Sequence, residues 1–294
     1  MRPSIVLLLV VAAALPPLPA FAQRPARPAL PSVDSSTVIV FSRSKGSQVV
    51  GRVVAADDSS LTVVTLKGAH VALPRGSVES WRVRRGTFTA RGFRDIDRNT
   101  SRLFFGPTAR TLERGGGYVA AYDVFVFTGA YGVRDRVMFS LGASMMEDSR
   151  GNRDGPAWVD ARVGILRSPK VAFAVGALSA RWAGPGGGSI SNGYAVVTLG
   201  SNDHAVTVMG GYPFARNNIA NEPTFMLGGE TRISSRLKLL TEVWRVPETP
   251  AAHTAWGVRW FGDRIAVSVG AIHRLDSHLR AFPVGPWLDI AFHR

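Results

Sequence analysis

The chain has 294 residues, contains no cysteine and carries a formal net charge of +14. The lack of cysteine excludes a disulfide-stapled secreted domain and any thiolate metal site. Arginine supplies nearly all of the positive charge, and the arginines are scattered without the interleaved aromatic residues of a nucleic-acid surface, so we expect no nucleic-acid partner. Anionic lipid headgroups are a better match for arginines that lie in loops.

The N-terminal residues 1–22 have the pattern of a secretory signal peptide. Arg2 precedes an apolar run from Ile5 to Leu15, and Ala20-Phe21-Ala22 forms a small-x-small cleavage site. The Pro-rich residues 23–36 are predicted to be a linker. No later stretch has the roughly 18 consecutive apolar residues that a membrane-spanning helix needs. We therefore expect an exported protein that does not cross a membrane with helices.

Residues 37–84 contain five short strand-like runs separated by turn signals. The turns are marked by Asp57-Asp58, Lys67-Gly68 and Pro74-Arg75-Gly76. This spacing predicts a small five-stranded β-barrel-like domain, and the stretch GRVVAADDSSLTVVTLKGAHVALP resembles SH3-like and Sm-like modules. The resemblance implies either a docking module with an unknown partner or a structural cap. Residues 85–100 are charged and irregular, which indicates a connecting segment.

From residue 101 to 294 the chain repeats strand-length segments with a period of two. In one of these segments Val137, Phe139 and Leu141 share an uncharged face, whereas the alternate positions are mixed. Short and long connections alternate along the chain. The pattern predicts an antiparallel up-and-down transmembrane β-barrel with tight periplasmic turns and longer external loops. In hydrocarbon every backbone N–H and C=O must be paired within the protein, and a sheet achieves this only by closing into a ring.

About twelve strands fit into this region, beginning with 102–109 and 117–131 and ending with 283–293. Pro107 and Pro286 interrupt the first and the last, and proline cannot donate to a strand ladder, so ten strands are the alternative. An even number leaves both ends of the barrel region, and with them the small module, in the periplasm. Aromatic residues near predicted strand ends are expected to form the interfacial girdles: Tyr118, Trp182, Tyr194, Tyr212, Trp244, Trp260 and Trp287.

Three motifs stand out between residues 99 and 144. They are N-x-[ST]-R-x-x-F-x-P-[ST] at Asn99–Thr108, G-x-G-Y at Gly115–Tyr118, and a turn-like segment at Tyr131–Asp135. On these motifs the stretch resembles the start of a group of uncharacterised outer-membrane β-barrel-like proteins of Gram-negative bacteria. The resemblance implies the fold and the outer membrane as location, but no activity.

The segment Ser189–Gly193 is a candidate enzymatic site. It resembles the His-x-Ser-Asn-Gly segment of outer-membrane phospholipases, in which Ser191, Asn192 and Gly193 match but Ser189 stands where histidine is needed. Because a serine hydroxyl without a base is a poor nucleophile at neutral pH, we predict no catalytic residue. The six histidines show no metal-ligand spacing, so no metal and no cofactor are predicted.

Ionised residues on the mixed faces of the predicted strands are candidates for lining the lumen: Asp160, Arg162, Glu230, Arg232, Lys238 and Glu242. They would either line a pore and set its ion preference or pair across strands and fill a narrow barrel. The sequence thus predicts an outer-membrane barrel of structural or narrow-channel, porin-like type, with no evident enzymatic activity and with outer-membrane lipid as its partner. The alternatives are a barrel-embedded lipid hydrolase and a soluble periplasmic β-rich binding protein.

Overall fold

The computed structural model describes residues 34–44, 46–89, 92–123, 125–147, 155–183, 188–215, 218–219, 222–247, 252–275 and 285–294. The predicted signal peptide lies outside these residues, and so does the predicted linker up to residue 33. The chain forms two compact units, one that ends at Arg84 and one that begins at Arg85. Among the described residues, no helix is long and apolar enough to cross a membrane.

The first unit is a five-stranded antiparallel sheet, as its strand-like runs predicted. Its strands pair in the order β4-β3-β2-β1-β5, and one 3-10 turn at Arg75–Ser77 precedes the last strand. A single cluster of apolar side chains, which includes Phe41, Val53 and Leu61, forms the core. The SH3-like or Sm-like character of the unit stays a prediction. The strand bounds are β1 Asp34–Arg43, β2 Gln48–Ala56, β3 Ser60–Thr65, β4 His70–Pro74 and β5 Val78–Arg84.

The turn between β2 and β3 is fixed by one carboxylate. The backbone N–H groups of Ser59 and Ser60 each donate to Oδ1 of Asp57 at 2.7 Å. The hydroxyls of the same two serines also donate to this carboxylate. These bonds, above all those of Ser59, hold the pKa of Asp57 well below its usual range. The aspartate in the Asp57-Asp58 turn signal therefore acts through its side chain.

The second unit begins with a hairpin and a long segment without regular structure, which lead into the large sheet. The hairpin strands are β6 Gly86–Thr89 and β7 Gly92–Asp95. The strands of the large sheet are β8 Gly117–Tyr122, β9 Val126–Arg134, β10 Val137–Ser144, β11 Gly155–Arg167, β12 Val171–Ala183, β13 Ser189–Gly200, β14 His204–Ala215, β15 Asn218–Ile219, β16 Thr224–Arg232, β17 Leu237–Arg245, β18 Ala252–Phe261, β19 Ile265–Leu275 and β20 Gly285–His293.

Twelve of these strands close into a ring. Each strand pairs antiparallel with its sequence neighbours, and the ring closes where β8 pairs with β20, for instance Ala120 with Ala291. The short β15 only extends the edge of β14. The predicted closed antiparallel barrel of twelve strands is confirmed, and the alternative of ten strands is wrong.

The identity of the first two strands differs from the prediction. Residues 102–109 form no barrel strand and make only an isolated bridge between Arg102 and Pro107. Residues 117–131, predicted as one strand, contain a tight turn and supply two, β8 and β9. At this turn Asp123 has a left-handed φ of 46°, and its carboxylate accepts the N–H of Leu288 at 2.7 Å. The two errors cancel in the strand count.

The connections fall into two groups at opposite ends of the strands. We call the end with short connections the turn end: 135–136, 168–170, 201–203, 233–236 and 262–264. The other end, called the loop end, has the connections 123–125, 145–154, 184–188, 216–223, 246–251 and 276–284. Only 123–125 breaks the expected alternation of short and long connections. Both chain ends of the barrel lie at the turn end, where the N–H of Arg294 donates to the carbonyl of Gly117.

Burial alternates along the barrel strands as the period of two predicts. Every strand of the ring carries at least one large apolar side chain that is exposed on the outer face: Val119, Phe127, Leu141, Val163, Val175, Leu199, Val208, Leu227, Leu239, Trp256, Val269 and Phe292. Buried side chains at the alternate positions face the interior.

The predicted aromatic girdle is only partly correct. Tyr212 and Trp260 are exposed, but Tyr118, Tyr194 and Trp287 are buried. These three side chains fall on the face that alternates with the exposed apolar positions, so they point into the barrel. The period of two overrides their closeness to strand ends.

Candidate functional site in the barrel interior

Residues 95–112, which we call the inner segment, pass through the interior of the barrel. Asp97, Asn99 and Phe104 are fully buried. The segment enters from the turn end, where the carboxylate of Asp95 accepts a hydrogen bond from Arg236 at 2.8 Å. Much of the stretch predicted as a connector and a first strand therefore fills the lumen.

Glu242, one of the six predicted lumen residues, holds the middle of the inner segment. Its carboxylate accepts the backbone N–H groups of Phe104, Phe105 and Gly106 at 3.1, 3.0 and 3.1 Å. A Cβ at Gly106 would lie 2.6 Å from Sδ of Met226, so a larger residue here would displace that side chain. A charged acceptor for three adjacent N–H groups makes this turn a rigid part of the interior.

Two wall arginines bind the carbonyl groups of the inner segment. Arg259 donates to the carbonyl oxygens of Asn99 at 3.0 Å and of Leu103. Arg162 donates to those of Ser101 and Thr108 at 2.8 and 2.9 Å. Together with Glu242, these side chains pair backbone groups that have no strand partner, which buried backbone requires.

Ion pairs connect the wall to the inner segment. Lys238 lies 2.6 Å from Glu230 and 3.0 Å from Asp97, and all three side chains are buried. The guanidinium of Arg102 donates to both carboxylate oxygens of Asp289 at 2.9 and 2.8 Å. These pairs balance the charges that the barrel encloses, which buried charges require.

The pKa of Asp97 shows which effect dominates in this network. Burial alone would raise the pKa, because it disfavours the charged carboxylate. The charges of Lys238 and Arg259, with the N–H of Asn99 at 2.9 Å, outweigh burial and hold the pKa well below its usual range. Asp97 is therefore ionised in the folded protein at neutral pH.

All six predicted lumen residues are buried, and each has a polar partner. Asp160 and Arg162 pair with each other at 3.3 Å and share the hydroxyl of Tyr194. Arg232 pairs with Asp203 at the turn end and donates to the carbonyl of Asp95. The remaining three are Glu230, Lys238 and Glu242, described above. Which role they have in function stays a proposal.

Other members of the network were not predicted from the sequence, among them Asp97, Arg102, Arg259 and Asp289. A signal was present for Arg259 and Asp289, because the period of two puts each on the same face as its buried neighbours. Asp97 and Arg102 lay in segments predicted as a connector and a wall strand, so their place in the interior could not be inferred.

Polar groups of the inner segment and of two wall strands meet near the turn end of the barrel. The N–H of Ala109 donates to the hydroxyl of Thr198 at 2.9 Å, and that hydroxyl lies 2.9 Å from the hydroxyl of Thr207. At the same end is a cavity of about 690 Å³ that Thr198, Arg110 and Asp203 help to line.

Nearer the loop end is a second cavity of about 410 Å³. Ser101 and Arg102 contribute to it from the inner segment. Most of its surface is apolar, and aromatic rings are prominent in it: Phe105, Tyr122, Trp158, Trp182, Tyr194 and Trp287. The rings of Phe105 and Trp287 pack with their centroids 4.0 Å apart.

The serine of the phospholipase-like segment lies outside this network. The hydroxyl of Ser191 donates to the hydroxyl of Ser179 at 3.1 Å, which is the contact described for it. A neighbouring serine is no base, so this geometry does not activate a nucleophile. Within the described ranges, no group of three histidine, aspartate or glutamate side chains is arranged to hold a metal ion.

No protein-family model and no curated protein matches the chain. Among solved structures, the chain is similar to the porin NanC, with 9% identity over 60% of this chain and 97% of that chain at a TM-score of 0.39. It is also similar to the porin KdgM in complex with oligogalacturonate, with 6% identity over 60% of this chain and 96% of that chain at a TM-score of 0.41. A loop-deletion mutant of OmpT from Vibrio cholerae shares 13% identity over 88% of this chain and 97% of that chain, at a TM-score of 0.34. These likenesses are too weak to bear on function, and the barrel rests on its own strand pairing.

Proposed function

We propose that the chain is an outer-membrane β-barrel protein whose lumen is closed by its own inner segment. The observation that carries the proposal is the outer wall, where large apolar side chains are exposed on all twelve strands. Soluble monomers rarely expose apolar patches of more than a few hundred Å². Hydrocarbon suits this wall, and the closed ring pairs the backbone groups that lipid cannot pair.

The charged groups of the outer face support the same proposal. In the described strands they lie near strand ends, as do Arg134, Arg181 and Arg245. Arg181 and Arg245 are exposed near the loop end, where anionic lipid headgroups would meet them. Short turns are periplasmic in barrels of this kind, so the loop end would face the cell exterior. The chain enters the barrel at the turn end, and this supports a periplasmic location for the preceding small module.

Extraction and gel migration test the location. We expect the full chain to remain with the membrane after osmotic shock and to need detergent for release. Unboiled samples should migrate differently from boiled ones on a denaturing gel, since a closed barrel resists detergent unfolding. Release of the folded chain by osmotic shock would favour the soluble periplasmic alternative and overturn the proposal.

A closed lumen is favoured over a narrow channel by the bonds of the inner segment. Ion pairs and charged hydrogen bonds hold it from several strands, and the cavities at the two ends of the barrel share no lining residue. We expect planar bilayers containing the protein to show no steady ion current. A steady current whose ion selectivity changes in Arg162→Gln would establish the narrow channel instead.

A further inference from the structure

The cavity at the loop side has the features of a small-molecule site. Its volume of about 410 Å³ is within the range of such sites, which are mostly apolar with a few placed polar groups. The inner segment forms part of its boundary, and that segment is bonded firmly to the wall. The cavity is therefore a fixed feature of the barrel.

Polar atoms of the lining lack partners. Trp287 is only 5% exposed and Ser101 only 1%, yet neither the indole Nε1 of the first nor the hydroxyl of the second has a hydrogen-bond partner among the described residues. The side-chain oxygen of Asn192, another lining residue, is also unpartnered there. Buried polar groups are nearly always paired in native proteins, so these groups call for a partner. Nε of Arg102, another residue of the lining, is unpartnered as well, so three of these four atoms can donate a hydrogen bond.

The charges of the lining are already balanced. Arg102 is bonded through two contacts to Asp289, and Arg162 is paired with Asp160. An anionic ligand would bring a charge with no free counter-charge against a mostly apolar lining, which is unfavourable. The unpartnered donors thus suit a neutral acceptor oxygen.

We propose that this cavity binds an uncharged apolar molecule that carries a carbonyl or ester oxygen. The apolar part packs against the aromatic rings, and the oxygen accepts from the indole N–H of Trp287 and the hydroxyl of Ser101. The ligand class is that of a medium-chain fatty ester. This inference goes beyond the proposed function, and it concerns the interior, so it does not depend on which solvent surrounds the outer wall.

Equilibrium dialysis with matched probes tests the proposal. The full chain, folded and held in amphipol, is dialysed against labelled methyl octanoate or labelled octanoate. We expect saturable binding of one methyl octanoate per chain, and binding of octanoate at least about tenfold weaker, because its charge is unpaired. Equal or tighter binding of octanoate, or no saturable binding of the ester, would overturn the proposal.

Variants locate the site. Ala180, a buried residue of the lining, is replaced in Ala180→Leu to fill the cavity and should abolish saturable binding. Ala195→Leu makes the same change on the outer face and should leave binding unaltered. Trp287→Phe keeps a ring but removes the N–H, and should weaken ester binding about five- to tenfold, the worth of one hydrogen bond.

Ser101→Ala removes the other proposed donor, which lies on the inner segment, and should also weaken ester binding. It replaces Trp287→Phe in the test if the tryptophan variant does not fold. Each variant is first checked for the heat-dependent gel shift. Ester binding that neither Ala180→Leu nor the two donor variants weaken would show that the probe binds elsewhere and contradict the proposal. A folded, heat-modifiable barrel without ester binding would remove this inference and leave the proposed function standing.

Discussion

At the scale of single residues, buried polar side chains form the hydrogen bonds with the inner segment's backbone that strand pairing provides in the wall. The inner segment has no sheet partner, so its carbonyl and N–H groups depend on Arg162, Arg259 and Glu242. Replacing one of these side chains lowers the stability of the fold, because the backbone groups that it binds are then buried without a partner. The strongest effects of substitution are therefore expected at these side chains.

Arg259 provides the sharpest residue-scale prediction. It is fully buried, bonds carbonyls of the inner segment and lies 3.7 Å from Asp97. Arg259→Met should lower the free energy of unfolding by about 3–5 kcal/mol, as breaking a buried charge pair does. The midpoint of urea unfolding, followed by tryptophan fluorescence, measures the loss. Arg264→Met at the exposed turn end is the matched control, and an equal shift in the two variants would contradict the role given to Arg259.

Asp97 leads to a prediction about pH. Its pKa is depressed in the folded protein, so the unfolded chain binds a proton at this group more readily. The stability it contributes is complete above the unfolded pKa of about 3.9 and declines as the pH falls below that value. Urea midpoints measured between pH 7 and pH 2 should therefore fall at the acid end. The Asp97→Asn variant should be less stable at pH 7, and its urea midpoint should depend less on pH below about 4. An unchanged dependence of the midpoint on pH in this range would contradict the role given to Asp97.

At the scale of elements, the period of two determined most of what could be predicted. Successive side chains of a strand point to opposite faces, so the positions of the apolar residues in β10 and β16 indicate which residues share the outer face. The same parity correctly put Glu230 and Lys238 on the buried face. Their partner Asp97 was not predictable, because no local pattern reports a contact made across the lumen.

Two further errors have identifiable physical causes. The turn at Asp123 lies in an apolar run without glycine or proline, and it depends on a carboxylate contact with Leu288 that is distant in sequence. The inner segment contains the apolar run Leu103-Phe104-Phe105, which can be mistaken for part of a wall strand. What distinguishes it is the set of charged groups on other strands that bind its backbone, and those are visible only in the fold.

The wall predicts a dependence on depth. Leu141 lies within β10, and Val133 lies close to the turn end of β9, both exposed on the outer face. Leu141→Lys should cost about 2–4 kcal/mol of stability in a bilayer, and Val133→Lys about 0–1 kcal/mol, because a charge is costlier nearer the bilayer centre. Urea midpoints of the two variants folded into lipid vesicles provide the comparison. Equal small costs at both sites would argue that the wall does not face hydrocarbon.

At the scale of the whole molecule, the division at Arg84 separates what each unit needs in order to fold. The barrel and its inner segment share one compact unit from Arg85 onward, and the five-stranded sheet has its own apolar core. A chain without residues 34–84 should therefore still give the heat-dependent gel shift. The charged residues described in the barrel interior all belong to the second unit.

Removal of the inner segment as well separates the stability of the ring from the closure of the lumen. A chain that begins at residue 113 retains all twelve strand pairings, but Lys238, Glu242 and Arg259 lose their partners in the inner segment. Water must then enter to solvate these charges, since a buried charge without a partner is strongly unfavourable. We expect a less stable barrel that carries a steady current in planar bilayers, next to a silent chain that begins at residue 85. If both truncated chains fold and both stay silent, closure must come from the loops at the other end, and the inner segment would be a brace for the wall only.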